Sequence, residues 1–264
     1  SRENKMTAKV HVVTTLHTDG YNLYGKDFIK TWELNFPSDW KIDYYTEGHT
    51  PEFGKRVNVL DFNETCVEWQ DYYKHIQHQV ETITDKKQIN RYKKALRWSF
   101  KMFTLLHALK TSTSDYVMWL DADVYARAKP PTGWIEKILN GQCVAGQVEN
   151  VKGFTHIETG ILPISMKHPE VNKVINWIEK GYVHKEILDL PKPWDGIWIG
   201  KMYDNKLVPI NVLKMLILEK NNIPVTAKAF SNEALNWLVH KVGDKKFGNE
   251  YSGRSGRSKG SELI

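Results

Sequence analysis

Asp115-Tyr116-Val117-Met118-Trp119-Leu120-Asp121-Ala122-Asp123-Val124 is the stretch whose reading decides the fold. Residues 116–120 are apolar without alternation and follow the turn-forming Thr111-Ser112-Thr113-Ser114. Such a run suits a strand buried on both faces, the habit of a central strand in an α/β sheet. It ends in Asp121 and Asp123, and on an extended backbone that i, i+2 spacing sets both carboxylates on one side. Open α/β sheets bind ligands beyond the carboxyl ends of their strands. Two hard oxygen donors there suit Mg²⁺ or Mn²⁺, which in turn holds a diphosphate. Two solvated acids at a strand end are the plainer alternative.

Working outward, the segment before this strand reads as the clearest helix, residues 91–110. Leu96, Phe103, Leu106 and Leu109 form its apolar stripe, widened by Phe100 and Met102. Lys94, Arg97 and Lys101 recur at i, i+3 and i+7 along one edge, where Arg97 and Lys101 are candidates to face a phosphate or sugar. Plain solubility explains them equally well. Further upstream, Lys9-Val10-His11-Val12-Val13-Thr14-Thr15 reads as the first strand, with His11 structural. A polar loop, residues 17–24, then feeds a helix over residues 25–34. Residues 40–46 and 56–61 read as strands two and three. Residues 63–90 read as a helical, aromatic surface insertion over the site edge, with His75 and His78 a solvated pair rather than chelators. Downstream come a helix at 134–139, strands at 142–148 and 160–165, and helices at 169–180, 208–218 and 231–241. Asp195 is placed at the N-cap of another helix.

Trp119-Leu120-Asp121-Ala122-Asp123-Val124 resembles the "DxD" strand of GT-A glycosyltransferases, which move a sugar from a nucleotide donor. The run from Arg97 through Leu109 is similar to the helix preceding that strand. His156-Ile157-Glu158-Thr159-Gly160-Ile161-Leu162 resembles the element after the metal site, where the chain returns beneath the sugar. The resemblance implies a single GT-A (Rossmann-like) α/β domain: a mixed, mainly parallel sheet flanked by helices, with a basic C-terminal tail. It implies a nucleotide-sugar donor, a UDP-sugar first, and a divalent metal, Mn²⁺ or Mg²⁺. It places the metal at Asp121 and Asp123 with His240 as third ligand. Thr14, Thr15, Tyr21, Arg97, Lys101 and Asp121 become donor contacts, joined by Arg254 and Lys259 from a tail that closes as a lid. Asp195 and Glu158 become the catalytic candidates beside the acceptor.

The whole sequence of 264 residues fits one α/β core. Residues 1–5, ahead of Met6, are read as an added remnant. Residues 6–242 are assigned to the catalytic domain and residues 243–264 to the tail. No apolar run reaches the ~18 residues of a membrane span, and Cys66 and Cys143 give no disulfide framework, so a cytoplasmic setting is expected. Neither G-x-G-x-x-G nor a P-loop occurs. The net charge of +6 is concentrated: seven basic residues and no acid lie between Lys86 and Lys101. Lys241 to Gly260 adds six basic residues against two acidic. The two segments suggest a polyanionic partner, a nucleotide diphosphate, a nucleic acid or both, with solvated helix faces and a frayed tail as the alternative. The order Gly20-Tyr21-Asn22-Leu23-Tyr24-Gly25, then Phe28-Ile29-Lys30-Thr31, resembles bacteriophage glycosyltransferases of this fold, some of which decorate hydroxymethylated bases in DNA. DNA in a host cytoplasm is therefore the expected acceptor, with saccharide or protein next.

Two other classes stay open at this point. Haloacid-dehalogenase phosphatases also end a strand in Asp-x-Asp, but carry Thr or Val where this chain has Tyr125. A non-catalytic nucleic-acid-binding domain would use the cations alone.

Overall fold

The computed structural model describes residues 8–151, 153–213, 216–220, 223–229 and 237–240; of these, only the backbone is described for 216–220, 223–229, 239 and 240. Chain order is β1 (Val10–His17), α1 (Thr18–Gly20), a π-helical turn (Tyr21–Gly25), α2 (Lys26–Asn35), β2 (Lys41–Glu47), β3 (Val57–Asp61), α3 (Phe62–Thr65), α4 (Trp69–Thr82), α5 (Lys86–Thr111), β4 (Tyr116–Leu120) and β5 (Val124–Ala126). There follow α6 (Trp134–Leu139), β6 (Val144–Val151), β7 (Phe154–Glu158), β8 (Ile161–Ser165), α7 (Val171–Tyr182), a 3₁₀ turn (Glu186–Asp189), α8 (Asp195–Asp204), β9 (Ile210–Leu213), β10 (Leu216–Lys220), β11 (Ile223–Ala229) and β12 (Leu238–His240).

Eight strands make one mixed sheet in the order β3-β2-β1-β4-β8-β6-β7, with β9 added against β6. β3, β2, β1 and β4 run parallel, and β8 returns antiparallel to β4. Strand order leaves β1 in one direction for β2 and β3 and in the other for β4. The gap between the carboxyl ends of β1 and β4 is therefore the topological switch point where a ligand crevice opens. Helices cover both faces. Val117 and Trp119 of β4 pack toward α4, α5, α7 and α8, whereas Met118 and Leu120 pack toward α2, α6 and Trp237. That alternation explains the unbroken apolar run, since either face of β4 meets a core.

α5 is longer than expected, 26 residues beginning at Lys86. Asp85 caps it, its Oδ1 accepting from Lys87 N–H at 2.9 Å. α4 lies beside it, with Trp69 Nε1 donating to Ser99 Oγ at 2.9 Å, so the expected surface insertion buries Trp69, Tyr72 and Ile76. Residues 112–115 join α5 to β4, and the helix therefore runs back against the strand. Ten helical residues separate Lys101 from Thr111, ~15 Å, which matches the ~17 Å length of the five-residue strand. Lys101 is thus level with the carboxyl end of β4.

Three expectations are corrected. Residues 17–24 are not a loop: His17 caps the helix with Nδ1 accepting from Gly20 N–H at 3.2 Å, and the buried Tyr21 ties the turn to Tyr44, His49 and Phe53. Residues 208–218 are not a helix: Ile210 to Leu213 pair in parallel with β6, an edge bond no local periodicity reveals. In the span 231–241, residues 231–236 and 241 lie outside the described residues, and Leu238–His240 is a strand on β5.

α8 sits directly on β7 because Gly196 and Gly200 bring backbone to backbone. A Cβ on Gly200 would lie 2.2 Å from the Thr155 carbonyl oxygen, and one on Gly196 2.6 Å from that of Ile157. Trp177 and Trp198 stack at 4.6 Å and exchange hydrogen bonds with each other's carbonyls at 3.0 and 2.9 Å, locking α7 to α8. Gly200→Ala should cost about 1–3 kcal/mol, a Tm drop of roughly 2–12 °C by calorimetry. An unchanged Tm would show that α8 does not need this approach.

Candidate active site

At the end of β4 the chain turns. Asp121 N–H donates to the Gly160 carbonyl at 2.8 Å, holding it to the start of β8. Val124 N–H then donates back to the Asp121 carbonyl at 3.0 Å. Asp121 and Asp123 therefore stand on a tight turn, and the extended-strand alternation does not apply to them. α2 clamps the chain after the turn: Trp32 Nε1 donates to the Val124 carbonyl at 2.8 Å, and Asn35 Nδ2 to that of Ala126 at 3.0 Å. Thr31 Oγ1 accepts from Ala126 N–H at 2.8 Å. Nothing local links residue 32 to residue 124, so this clamping role of Thr31, Trp32 and Asn35 does not show in sequence patterns.

Lys101 is the hub. Its ammonium lies 2.8 Å from Asp121 Oδ1 and 3.2 Å from Asp195 Oδ2, and it reaches Thr159 Oγ1 at 3.1 Å and the Thr159 carbonyl at 3.3 Å. Asp121 Oδ1 also accepts from Trp119 Nε1 at 2.6 Å, and the ammonium stands 5.3 Å from the Trp119 ring centroid. Thr159 donates its hydroxyl to Asp195 Oδ2 at 2.6 Å, so its oxygen is left to accept from Lys101. Asp195 is not the N-cap of α8. Trp194 occupies that position, and Asp195 is the first helical residue, its carboxylate turned into the cluster. Glu158, at the end of β7, accepts from Gly160 N–H at 3.1 Å and is buried, as are Asp123 and Asp195.

Burial alone would raise the Asp195 pKa; Lys101, the Thr159 hydroxyl and Gly196 N–H outweigh it and hold the carboxyl below the usual range. Burial likewise opposes the Lys101 charge, and Asp121, Asp195 and Glu158 outweigh it, keeping the ammonium protonated well beyond neutral pH. Asp121, Asp195 and Glu158 all act on this ammonium, and Asp123 follows two residues after Asp121 on the same turn. Among the described residues no three His, Cys, Asp or Glu side chains converge as a metal cage. Mg²⁺-type sites ask for less, one or two carboxylates with the rest from substrate phosphates and water, so Asp121 and Asp123 fit. His240 enters by register: its backbone pairs with Val124, one residue beyond Asp123.

The other expected donor contacts are spread out. Thr14 is fully buried, and Tyr21 is buried with its hydroxyl accepting from Glu52 N–H at 2.7 Å. Thr15 remains at the edge beside β4, its hydroxyl 2.7 Å from Glu47 Oε1. Glu47, which the sequence reading overlooked, ends β2, and burial pushes its carboxyl up to about 7. An acid closing the second strand of a nucleotide-binding sheet was the available signal. Arg97 is exposed, its guanidinium 5.8 Å from the Trp98 ring centroid. Arg254 and Lys259 lie outside the described residues. No helix among the described residues is long and apolar enough to cross a membrane.

No family model matches this sequence, and no curated protein matches it. Among solved structures it is similar to mouse xyloside xylosyltransferase 1 in its apo form: TM-score 0.49, 10% identity, covering 78% of this chain and 85% of that one. It is also similar to the galactosyltransferase LgtC in complex with donor and acceptor sugar analogues: TM-score 0.44, 14% identity, covering 77% and 73%. A third is the glycosyltransferase GlyE of Streptococcus pneumoniae TIGR4: TM-score 0.43, 13% identity, covering 79% and 46%. At these values the functional reading rests on the site itself.

Lys101→Met should leave Asp195 buried without its cation and cost about 3–5 kcal/mol at neutral pH. The sign follows from Asp195. In the wild type its lowered pKa adds stability above the unfolded value, lost as pH falls through the folded one. Without Lys101, burial raises that pKa, so acidification should narrow the gap between variant and wild type. Urea melts from pH 4 to 8 test this; a gap constant with pH would contradict it.

Proposed function

We propose that this chain is a divalent-metal-dependent glycosyltransferase of the GT-A type, moving a sugar from a nucleoside diphosphate to a hydroxyl acceptor. One observation carries the reading: at the switch point of the sheet, Asp121, Asp195 and Glu158 gather around the buried Lys101 ammonium, with Asp123 on the same turn as Asp121. A nucleoside diphosphate is itself anionic, and a divalent cation would join it to these carboxylates. Asp121 and Asp123 would hold that ion, with His240 in register beside them, and when bound it supplies Lewis-acid stabilisation of the departing diphosphate. Lys101 anchors Asp121 through one oxygen, so the carboxylate is oriented before any donor arrives.

In the reaction the bond between sugar C1 and the diphosphate oxygen breaks, its electron pair leaving on the diphosphate. The acceptor oxygen bonds C1, and its proton passes to a base. Asp195, held below the ordinary carboxylate range, is a poor base and suits the stabilising of positive charge at C1 or the orienting of sugar hydroxyls. Glu158, buried at the end of β7, is the other candidate base. Thr15 and Glu47, near the ends of β1 and β2, would meet the ribose side of a donor, by resemblance a uridine diphosphate sugar. The acid-free run on α5 favours DNA as acceptor, through a hydroxymethyl group on a base, over a saccharide or a protein.

A turnover screen of nucleotide sugars with Mn²⁺ or Mg²⁺, with and without hydroxymethylated DNA, tests the reading. Release of the nucleoside diphosphate should need the metal, and Asp123→Asn should lower it by at least about 100-fold. A non-catalytic nucleic-acid-binding domain would release none, and Asp123→Asn would leave its DNA affinity intact.

A further inference from the structure

The amino-terminal half of α5 overhangs the site. Lys101 is level with the end of β4, so the fifteen residues before it extend ~22 Å past the carboxyl edge of the sheet. On that overhang Lys86, Lys87, Lys93, Lys94 and Arg97 are exposed, and among the described residues none of them forms an ion pair. At about 100° per residue, these five and Lys101 fall within one arc of about 120°. Asn90 is the single neutral residue in that arc. The stripe runs from the helix tip down to the ammonium that touches Asp121 and Asp195.

The arrangement works against the helix that carries it. Lys86 and Lys87 sit in the first turn, where the helix dipole disfavours cations, and the acid beside them is the cap, Asp85, with none in the turn itself. Lys93 and Lys94 each stand three or four residues from Arg97, and Arg97 four from Lys101, with like charges adjacent throughout. An ordinary solvated helix face would interleave acids. α5 has none, and a bound polyanion would relieve both costs.

The geometry points to this stripe as the docking surface for the phosphate backbone of a nucleic acid, which it leads toward the Asp121–Lys101–Asp195 site. Half-buried aromatic rings flank it: Trp98 beside Arg97, and Phe154 and Trp194 with the Lys192 ammonium 4.8 and 5.7 Å from their centroids, next to Asp195. Flat rings beside cations suit unstacked bases. An anionic membrane is the competing polyanion, but the large exposed apolar side chains, Leu23, Leu34, Val59, Val67, Tyr203 and Val212, all lie off the overhang. The inference rests on the glycosyl-transfer reading only for what happens to the nucleic acid once docked.

Fluorescence anisotropy with labelled duplex and single-stranded oligonucleotides, without donor, tests it. Affinity should fall steeply with salt. The triple variant Lys87→Gln, Lys93→Gln, Lys94→Gln should bind about tenfold or more weakly at 0.1 M salt, its log–log salt slope shallower by about 2–3. Circular dichroism should show the fold unchanged, and nucleotide-sugar hydrolysis should match the wild type. Unchanged affinity and slope in the variant would overturn the assignment, as would tighter binding of the wild type to phosphatidylserine vesicles than to DNA. A chain that shows this salt slope but turns over no nucleotide sugar would overturn the catalytic reading and uphold the surface.

Discussion

One buried ammonium holds the site together. Lys101 arrives from α5, Asp121 from the end of β4, Thr159 from the turn before β8 and Asp195 from the first turn of α8. Four segments far apart in sequence converge on one nitrogen. An uncompensated charge at this depth would be expensive, and so would the carboxylates without it. The pairing therefore fixes relative positions more than it adds stability, and it gathers carboxylates at the edge where the strand order switches.

The rest of the architecture serves that convergence. The reversal of strand order around β1 makes the switch point, and the antiparallel return of β8 brings Gly160 against Asp121. Gly196 and Gly200 let α8 approach β7 closely enough for Asp195 to reach Lys101. The length of α5 does two jobs: its buried end packs the sheet as far as Lys101, and its free end carries cations beyond it. On the proposed reading, an acidic site under a basic overhang would separate two tasks, holding a metal–diphosphate below and an anionic acceptor above.

Much of this was legible in the sequence. β4 announced itself by an apolar run between turn residues, and Asp121 and Asp123 by their place at its end. Lys101 stood on the right edge of the right helix. What local pattern did not show was set by distant partners. Residues 17–24 look like a polar loop until Tyr21 meets Tyr44 and Phe53. Ile210 to Leu213 mimic a helix stripe until β6 offers an edge. Asp195 looks like a cap because its real partners lie 36 and 94 residues away. The Gly196 and Gly200 spacing was visible, yet its meaning needed β7 beneath it.

The central claim is that the two aspartates after β4 grip a divalent cation carrying a diphosphate. A crystal grown with Mn²⁺ and uridine diphosphate, with data collected at the manganese edge, tests it directly. The account predicts an anomalous peak at the carboxylates of Asp121 and Asp123, with the diphosphate on the ion and Lys101 still on Asp121. Nucleotide bound elsewhere, or bound here without manganese at those carboxylates, would contradict it.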